Sequence, residues 1–331
     1  MEQIAFIYGS VFVYWSHILL AIAAAVSICV YLALYLGNPG TFVPAVVSVP
    51  LALAASLLLG RLLHWYCRPD QYASLTAALT DLRSGGYALA GVFAGCGLTA
   101  CLLRILHLAK DLPHMLDCMA VAGSAGIALG RLPCFFNTAD RGMVVTAAWG
   151  LPWAFGVTNP VSGVPELRLA TFCLQAVAAA VLFLALLVFR FLKRGKKGDI
   201  CLIFLLCYGA SQVLLDSTRY DSLYFRSNGF VSIVQVLGAC GMGLAAIVFS
   251  VRMVRSRGWK KWYLPLWLGL AGLLGTAGYM EYFVQRHSHK AVLGYNSMAL
   301  ALLGSIAVVL VIRMIAVSEE RKQEVRTGWA Q

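Results

Sequence analysis

RLATFCLQAVAAAVLFLALLVFRFL, residues 168–192, is the stretch that decides the fold of this chain. No charged residue lies between Arg168 and Arg190. The run is long enough to cross the apolar core of a bilayer, which takes about 20 helical residues. Similar runs recur along the chain, and those at 113–135 and 199–217 are weaker because they contain ionisable residues. The predicted membrane spans are nine, at 7–36, 41–63, 85–109, 113–135, 168–192, 199–217, 228–252, 262–283 and 291–316.

The overall composition agrees with a chain that lies mostly in a membrane. Hydrophobic residues make up 60% of the 331 residues and charged residues only 12%. A soluble domain of this size has about a quarter charged residues, so this composition excludes the soluble classes. The predicted fold class is therefore all-α, a polytopic integral membrane protein.

The net charge of +12 and the ten cysteines each suggest a function that other features exclude. The positive charge suggests nucleic-acid binding, but Lys and Arg gather on the cytoplasmic loops of membrane proteins, so we predict no nucleic-acid partner. The cysteines form no CxxC pair, and most lie in apolar spans, as Cys29 and Cys240 do. We read them as small packing residues and predict no disulfide framework, no metal site and no cofactor.

The loop charges predict an orientation. RFLKRGKKGD at 190–199 follows the fifth span, RMVRSRGWKKW at 252–262 follows the seventh, and a basic tail follows the ninth. Since all of these follow odd-numbered spans, the positive-inside rule makes that side cytoplasmic and the N-terminus external. The longest outer loop, about 137–167, contains Pro and Gly in LPWAF and NPVSGVP, which predicts an irregular outer lid.

Several ionisable residues lie at similar depth. They are Arg61, His64, Arg131, Arg168, Asp216 and Arg219. The helical rise puts Arg131 and Asp216 roughly 25 Å from the cytoplasmic end of their spans, and the others lie at the outer ends of theirs, in or just above the outer leaflet. Each one alone is equally well explained by a side chain that extends to the nearby interface. Together they predict a site for an anionic head group, because Arg binds phosphate bidentately.

Small residues are concentrated in two of the same spans. Gly126 and Gly130 form a small-xxx-small pair, and the third span opens with GGYALAGVFAG at 85–95. Ordinary helix packing explains both runs. The alternative is that glycines near the outer surface let a lipid head group approach the backbone.

A series of motifs, in order along residues 10–255, resembles those of bacterial prolipoprotein diacylglyceryl transferases. GRLPCFFN at 130–137, followed by Gly142, resembles the family signature. GGYALAGVFAG at 85–95 resembles its glycine motif, and GRLLH at 60–64 resembles its end of helix two. LPW at 151–153, RLATFCLQ at 168–175 and DSTRYD at 216–221 resemble further family segments, and Ser232 with Gln235 resembles another.

The resemblance implies an architecture and an activity. Residues 1–255 would form a seven-helix transferase core with the outer lid, and 256–331 would add two transmembrane helices and a basic cytoplasmic tail. The protein would be a multi-pass enzyme of the bacterial plasma membrane that transfers the diacylglyceryl group of phosphatidylglycerol to the lipobox cysteine of preprolipoproteins. Its partners would be phosphatidylglycerol, the preprolipoprotein signal peptide and membrane lipid.

The chain also departs from the family pattern. The functional His of the glycine motif falls on Ala90, the signature Asn on Cys134 and its acidic residue on Ala139. Four further positions fall on Leu174, Gln175, Gln212 and Ser16. The retained positions are Arg61, Asp117, Arg131, Asn137, Gly142, Arg168, Asp216, Arg219 and Asp221.

The resemblance assigns roles to these residues. The transfer needs cationic stabilisation of a leaving phosphate, which we expect from Arg131, and a base for the thiol. His64 and Asp216 are the candidate bases, although a non-catalytic interfacial role is the simpler reading of His64. Arg131 has a second reading, as half of an ion pair with Asp216. The predicted substrate-binding residues are Arg61, Gly85, Gly86, Gly91, Asn137, Gly142, Arg168 and Arg219.

Two other functions stay open at this stage. One is a catalytically inactive relative that binds phospholipid or lipoprotein signal peptides, which the absence of the family His favours. The other is a small-molecule transporter, against which stands the lack of inverted repeats and of paired broken helices.

Overall fold

The computed structural model of the chain describes residues 4–8, 11–37, 41–80, 86–136, 141–145, 153–159, 162–192, 195–226 and 228–328. Helices dominate these residues, which confirms the all-α, polytopic class. The helices are α1 (Trp15–Tyr35), α2 (Phe42–Cys67), α3 (Leu75–Thr80), α4 (Leu89–Ile105), α5 (Leu112–Gly130), α6 (Thr171–Phe191), α7 (Asp199–Ser217), α8 (Ile233–Arg257), α9 (Tyr263–Arg286) and α10 (Ala291–Gly328).

A helix lies in every predicted span, and seven helices among the described residues are long and apolar enough to cross a membrane. They include α5 and α7, the two spans that looked weaker in the sequence. The two that differ are α4 and α9. α4 has only 17 residues, fewer than the roughly 20 that a bilayer core requires. α9 has 24 residues but is less apolar, and it contains Glu281.

Three short antiparallel hairpins take up sequence that we had predicted to be helical or irregular. β1 (Ile4–Tyr8) pairs with β2 (Val11–Tyr14), β3 (Ala154–Thr158) with β4 (Pro165–Leu169), and β5 (Tyr224–Phe225) with β6 (Asn228–Ser232). The predicted starts of the first, fifth and seventh spans are therefore wrong by several residues. The strand residues are rich in aromatic and β-branched types, which are as apolar as helix residues but favour pleated structure.

The outer lid is also more regular than predicted. Its described part contains the β3–β4 hairpin, and Val145 and Gly142 donate backbone hydrogen bonds to the carbonyl oxygens of Leu167 and Leu169. Of the Pro and Gly residues that suggested an irregular loop, Gly163 lies between the two strands and Pro165 is the first residue of β4. The segments 137–140, 146–152 and 160–161 lie outside the described residues.

Helices α2 and α4 pack closely through glycines of α4. A Cβ atom added at Gly95 would lie 2.5 Å from the backbone nitrogen of Ser56, and one at Gly91 would overlap the carbonyl oxygen of Leu59. Ser56 also donates a hydrogen bond to the carbonyl oxygen of Val92. This contact is the packing that small residues allow between membrane helices.

Asp117, a retained family position, caps a neighbouring helix. Its side chain is buried in α5 and accepts hydrogen bonds from the backbone nitrogens of Gly198 and Cys201, at 2.7 and 2.8 Å. These donors are at the start of α7, where backbone N–H groups lack partners within the helix. A carboxylate there is also favoured by the helix dipole.

The chain forms two compact units. The first contains residues 1–204 and 215–237, and the second contains 205–214 and 238–331. In the second unit, α9 and α10 are antiparallel, with Gly304 against Leu273 and Gly294 against Val284. Trp267 of α9 donates a hydrogen bond to Ser250 of α8, and Arg257 donates to Ser318 of α10.

Candidate functional site

Arg61 is the most deeply buried arginine of the first unit, with 1% of its surface exposed. It lies near the end of α2, and its Nε and Nη1 donate hydrogen bonds to the carbonyl oxygens of Ala78 and Gly86, at 2.6 and 3.0 Å. The guanidinium carbon also lies 4.8 Å from the ring centre of Tyr72 and 5.3 Å from that of Tyr87. Arg61 therefore holds the segment that connects α2 to α4.

His64 lies one turn later on α2, beside the same tyrosine. Its Nδ1 is 2.8 Å from the hydroxyl of Tyr72. Gly86 makes room for this pair, because a Cβ there would lie 2.6 Å from both His64 Cε1 and the Tyr72 hydroxyl. The φ of Gly86 is +78°, which also favours glycine. We call Arg61, His64, Tyr72, Gly86 and Tyr87 the Arg61–His64 cluster.

A second group of polar residues joins β4 to the end of α7. Arg168, which is 8% exposed, contacts Glu166 Oε2 through Nε and Nη2, at 3.1 and 2.9 Å. Its Nη1 donates to the carbonyl oxygen of Gly142 at 3.4 Å, and its guanidinium lies over the ring of Tyr220 at 4.4 Å. The prediction that Arg168 begins a helix is wrong, because it lies in β4 and α6 starts at Thr171.

Asp216, in the last turn of α7, completes this group. Arg219 Nη1 donates to its Oδ1 at 3.2 Å, and the Ser232 hydroxyl donates to its Oδ2. Ser232 in turn caps α8 through reciprocal hydrogen bonds with Gln235, the capping-box pattern. The carboxylate is 1% exposed, so both of its oxygens are held inside the protein.

Gly142 packs tightly between β4 and α7. A Cβ there would overlap the Thr171 hydroxyl, and its backbone forms a β-bridge with Arg219. The Thr171 and Thr218 hydroxyls are hydrogen-bonded at 2.9 Å beneath it. We call Gly142, Glu166, Arg168, Asp216, Arg219 and Tyr220 the Arg168–Asp216 cluster.

Two contacts connect the clusters. Arg68, just after α2, forms an ion pair with Asp221 and also donates to the carbonyl oxygen of Ser222 at 3.3 Å. Arg226 donates to the carbonyl oxygen of Tyr66 at 2.7 Å and lies over the Trp65 ring at 4.9 Å. The end of α2 is thus joined to the segment after α7, and both clusters belong to one end of the first unit.

Arg131 lies at the C-cap of α5, between the last helical turn and a 3₁₀ turn at Leu132–Phe136. Its placement inside the helix is therefore wrong. The hypothesis that it pairs with Asp216 is also wrong, because the Asp216 carboxylate is bonded to Arg219 and Ser232. The helix ends here because Pro133 follows two residues later.

The other predicted residues divide into two groups. Gly85 and Asn137 lie outside the described residues. Gly91 contacts the backbone of α2, so its observed neighbour is a helix, and its role in substrate binding stays a prediction.

Sequence reasoning missed Tyr72, for which no local pattern gives a signal, and the partnership of Glu166 with Arg168. The spacing of two residues on a strand, which puts both side chains on one face, could have revealed that pair.

Hydrogen bonds determine the charge of Glu166. Asn159 Nδ2 donates to its Oε1 at 2.5 Å, and with the bonds from Arg168 this lowers the pKa of Glu166 below its ordinary value of 4.5. The carboxylate therefore stays ionised, and paired with Arg168, throughout the neutral range.

The clusters offer guanidinium groups, carboxylates and one imidazole. Among the residues that the structure describes, no three His, Cys, Asp or Glu side chains come together as a metal site would require. The chemistry that the arrangement supports is anion binding by guanidinium groups, with an imidazole nearby as a proton acceptor.

Comparison with known sequences finds one family. The sequence model of the prolipoprotein diacylglyceryl transferases matches residues 3–251. The match includes every residue of the two clusters.

Individual relatives are distant in sequence but extensive in coverage. The phosphatidylglycerol–prolipoprotein diacylglyceryl transferase of Finegoldia magna is 28% identical over 197 residues, which cover 57% of this chain and 72% of the relative. That of Parasynechococcus marenigrum is 25% identical over 209 residues, or 60% of this chain and 75% of the relative. That of Streptococcus sanguinis is 22% identical over 265 residues, which cover 76% of this chain and 96% of the relative.

Proposed function

Since this chain belongs to the prolipoprotein diacylglyceryl transferase family, we propose that it transfers the diacylglyceryl group of phosphatidylglycerol to a cysteine thiol of a preprolipoprotein. The observation that carries the proposal is the family match from residue 3 to residue 251, which spans both polar clusters. The enzyme is a transferase, and the acceptor is the lipobox cysteine that follows the signal peptide.

The reaction exchanges one bond for another. A sulfur–carbon bond forms at the glyceryl carbon of the lipid as the bond between that carbon and the phosphate oxygen breaks. Glycerol phosphate leaves with the electron pair, and the thiol proton passes to a base. The protein must therefore stabilise growing negative charge on the phosphate and accept one proton.

We assign the phosphate to Arg131, with Arg168 and Arg219 beside it. The guanidinium fork suits a phosphate because two parallel N–H groups meet two oxygens. Arg168 and Arg219 are held by Glu166 and Asp216, which orients them before the lipid binds. Arg61 is buried and donates to two carbonyl oxygens, so it positions backbone next to the site and does not bind the phosphate itself.

We assign the proton to His64 rather than to Asp216. Both Asp216 oxygens already accept hydrogen bonds, one from Arg219 and one from Ser232, so neither is open to a thiol. His64 contacts the Tyr72 hydroxyl through Nδ1, which leaves Nε2 as the nitrogen that takes the thiol proton. Tyr72 acts as a positioning residue, because its hydroxyl fixes the orientation of the imidazole ring.

A catalytically inactive, lipid-binding protein is the second candidate. It is favoured by Ala90, in the first turn of α4, at the position where the family has its functional His. In that case the arginines would still hold phosphatidylglycerol, but no thioether would form.

A single assay separates the two candidates. The purified full chain is incubated with labelled phosphatidylglycerol and a lipobox peptide, and thioether product is measured beside an active family member. We expect a product that depends on phosphatidylglycerol, and a large loss of rate in His64→Ala. Bound lipid without product in the wild type would favour the inactive reading.

Tyr72→Phe provides a matched control for the assignment of the base. It removes the hydroxyl that contacts His64 and keeps the ring that packs on Arg61. We expect its pH–rate profile to shift while folding is retained. If His64→Ala retains the wild-type rate, His64 is not the base.

We further propose an orientation and a location. The protein lies in the bacterial plasma membrane with an external N-terminus and a cytoplasmic C-terminus, and the basic loops at 190–199 and 252–262 support this. Residues 1–255 form the transferase core, and 256–331 are an addition beyond the family match. The two clusters would then face the outer leaflet, where they meet membrane lipid and the preprolipoprotein signal peptide.

A further inference from the structure

A groove on the second unit contains a cationic side chain and has apolar walls. It lies between the last turns of α8 and the first turns of α9, and Ser250, Val251, Val254, Arg255 and Trp267 line it. Its volume is about 330 Å³. This is at the small end of ligand sites, which suits part of a ligand such as a segment of an acyl chain. We call it the α8–α9 groove.

The wall of the groove is built by tryptophan. The Trp267 indole nitrogen donates to the Ser250 hydroxyl at 3.1 Å, which holds the ring between the two helices. Trp259 lies against it, with ring centres 5.3 Å apart, and is 65% exposed. Exposed tryptophans of this kind gather at the boundary between bilayer and water, where the ring is apolar and its N–H is polar.

Basic residues lie in the lining of the groove and in the connection next to it. Arg255 lines the groove and is exposed, and Lys260 and Lys261 lie beside Trp259 in the connection to α9. Among the residues whose side chains the structure describes, no carboxylate forms a salt bridge with these three cations. The apolar walls of the groove match an acyl chain, and the basic residues next to it match an anionic head group. Both are parts of an anionic phospholipid.

We propose that the α8–α9 groove binds an anionic glycerophospholipid, with one acyl chain in the groove and the phosphate at Arg255. Lys260 and Lys261 attract the head group, since basic residues beside a membrane helix favour anionic lipid. None of its lining residues belongs to either polar cluster, and Val254, Arg255 and Trp267 lie beyond the family match. With the proposed orientation it faces the cytoplasmic leaflet.

The test counts the lipids bound to the full chain. Native mass spectrometry of detergent-purified protein is done with dioleoyl phosphatidylglycerol and with dioleoyl phosphatidylcholine, which have the same acyl chains. We expect a preference for phosphatidylglycerol that weakens about fivefold in Arg255→Gln and further in the triple variant Arg255→Gln/Lys260→Gln/Lys261→Gln. Equal binding of both lipids to the wild type would overturn the proposal.

Two further variants make the result specific. Lys110→Gln/Arg286→Gln/Lys290→Gln removes three exposed charges elsewhere and should keep the wild-type preference. Val251→Trp fills the groove without changing charge and should also lose one bound phosphatidylglycerol. Unchanged phosphatidylglycerol binding in both the basic triple variant and Val251→Trp would contradict the site.

The transferase reaction provides an independent readout. We expect Arg255→Gln to form thioether product at the wild-type rate in saturating phosphatidylglycerol, because Arg255 belongs to neither polar cluster. The difference in lipid count between the wild type and the groove variants therefore tests the groove, while loss of product in His64→Ala tests the proposed function.

Discussion

Each buried arginine of the first unit is held by a different kind of partner. Arg61 contacts carbonyl oxygens and tyrosine rings, whereas Arg168 contacts a carboxylate, a carbonyl oxygen and one ring. A guanidinium tolerates burial when its N–H groups are directed at acceptors, and its flat faces can stack on rings. The same residue type therefore serves as an anchor in one cluster and as an oriented cation in the other.

Arg131→Lys tests the phosphate role at the level of one residue. Lysine keeps the charge but loses the two-pronged donor, so we expect transferase activity to fall by about 100-fold, as for loss of one preorganised donor. Thermal stability should stay near that of the wild type. Arg104→Lys, at the exposed end of α4, is the control and should retain full activity. Wild-type activity and lipid binding in Arg131→Lys would refute the assignment.

Glu166→Gln tests the Arg168 ion pair through its pH dependence. The folded-state pKa of Glu166 is lowered by Asn159 and Arg168, so the pair stabilises the protein above the ordinary Glu pKa of 4.5. This stabilisation is lost as the pH falls through the lower, folded-state pKa. We expect the variant to melt below the wild type at pH 7, and the difference to shrink under acidic conditions.

Asp70→Asn is the matched control, since Asp70 is exposed on the loop after α2. Its melting temperature should follow the wild type at every pH. If the difference in melting temperature between Glu166→Gln and the wild type grows at acidic pH, the carboxylate does not act through this pair.

At the scale of elements, glycines and strand residues decide how the helices meet. α4 approaches α2 so closely that the backbone of α2 occupies the space that a side chain at Gly91 or Gly95 would need. The hairpins replace the first residues of three predicted spans and set Arg168 and Ser232 on strands, next to the starts of helices. Short strands at this end of the unit bring Glu166 and Arg168 of β4 next to Gly142 and the end of α7.

Gly95→Ala tests the α2–α4 contact. The added methyl group would meet the backbone of Ser56, which has no flexible end to yield, so we expect a loss of about 1–3 kcal/mol in unfolding free energy. Gly97→Ala in the same helix has open space within 4 Å and should be neutral or slightly stabilising. Unfolding of both variants in mixed micelles makes the comparison, and equal stabilities would contradict the packing role.

At the scale of the whole molecule, the distribution of basic residues predicts the orientation. Reporter fusions after Gly195 and after Gln331 should both report the cytoplasm, because each follows an odd-numbered span. A fusion after Tyr72, in the loop that follows α2, is the matched control and should report the outside. An external signal from either of the first two fusions would contradict the nine-span topology.

Sequence reasoning reached the class of the protein because that class depends on composition. Apolar runs of about 20 residues have few stable environments other than a bilayer, where backbone groups bond within the helix. The ordered motifs also identified the family, and they found most members of both clusters: Arg61, His64, Gly86, Gly142, Arg168, Asp216 and Arg219.

Only the tertiary structure decided which of these residues touch. Depth along a span suggested an Arg131–Asp216 pair as the alternative to phosphate binding, but depth carries no information on the direction of a side chain. Asp216 bonds to Arg219 and Ser232. Hydropathy likewise could not separate β1 and β2 from α1, because strand and helix residues are equally apolar there. Tyr72 reaches His64 through a loop whose course is set by Arg61 and by the positive φ of Gly86. Contacts of that kind depend on distant parts of the chain, so they follow from packing and not from local pattern.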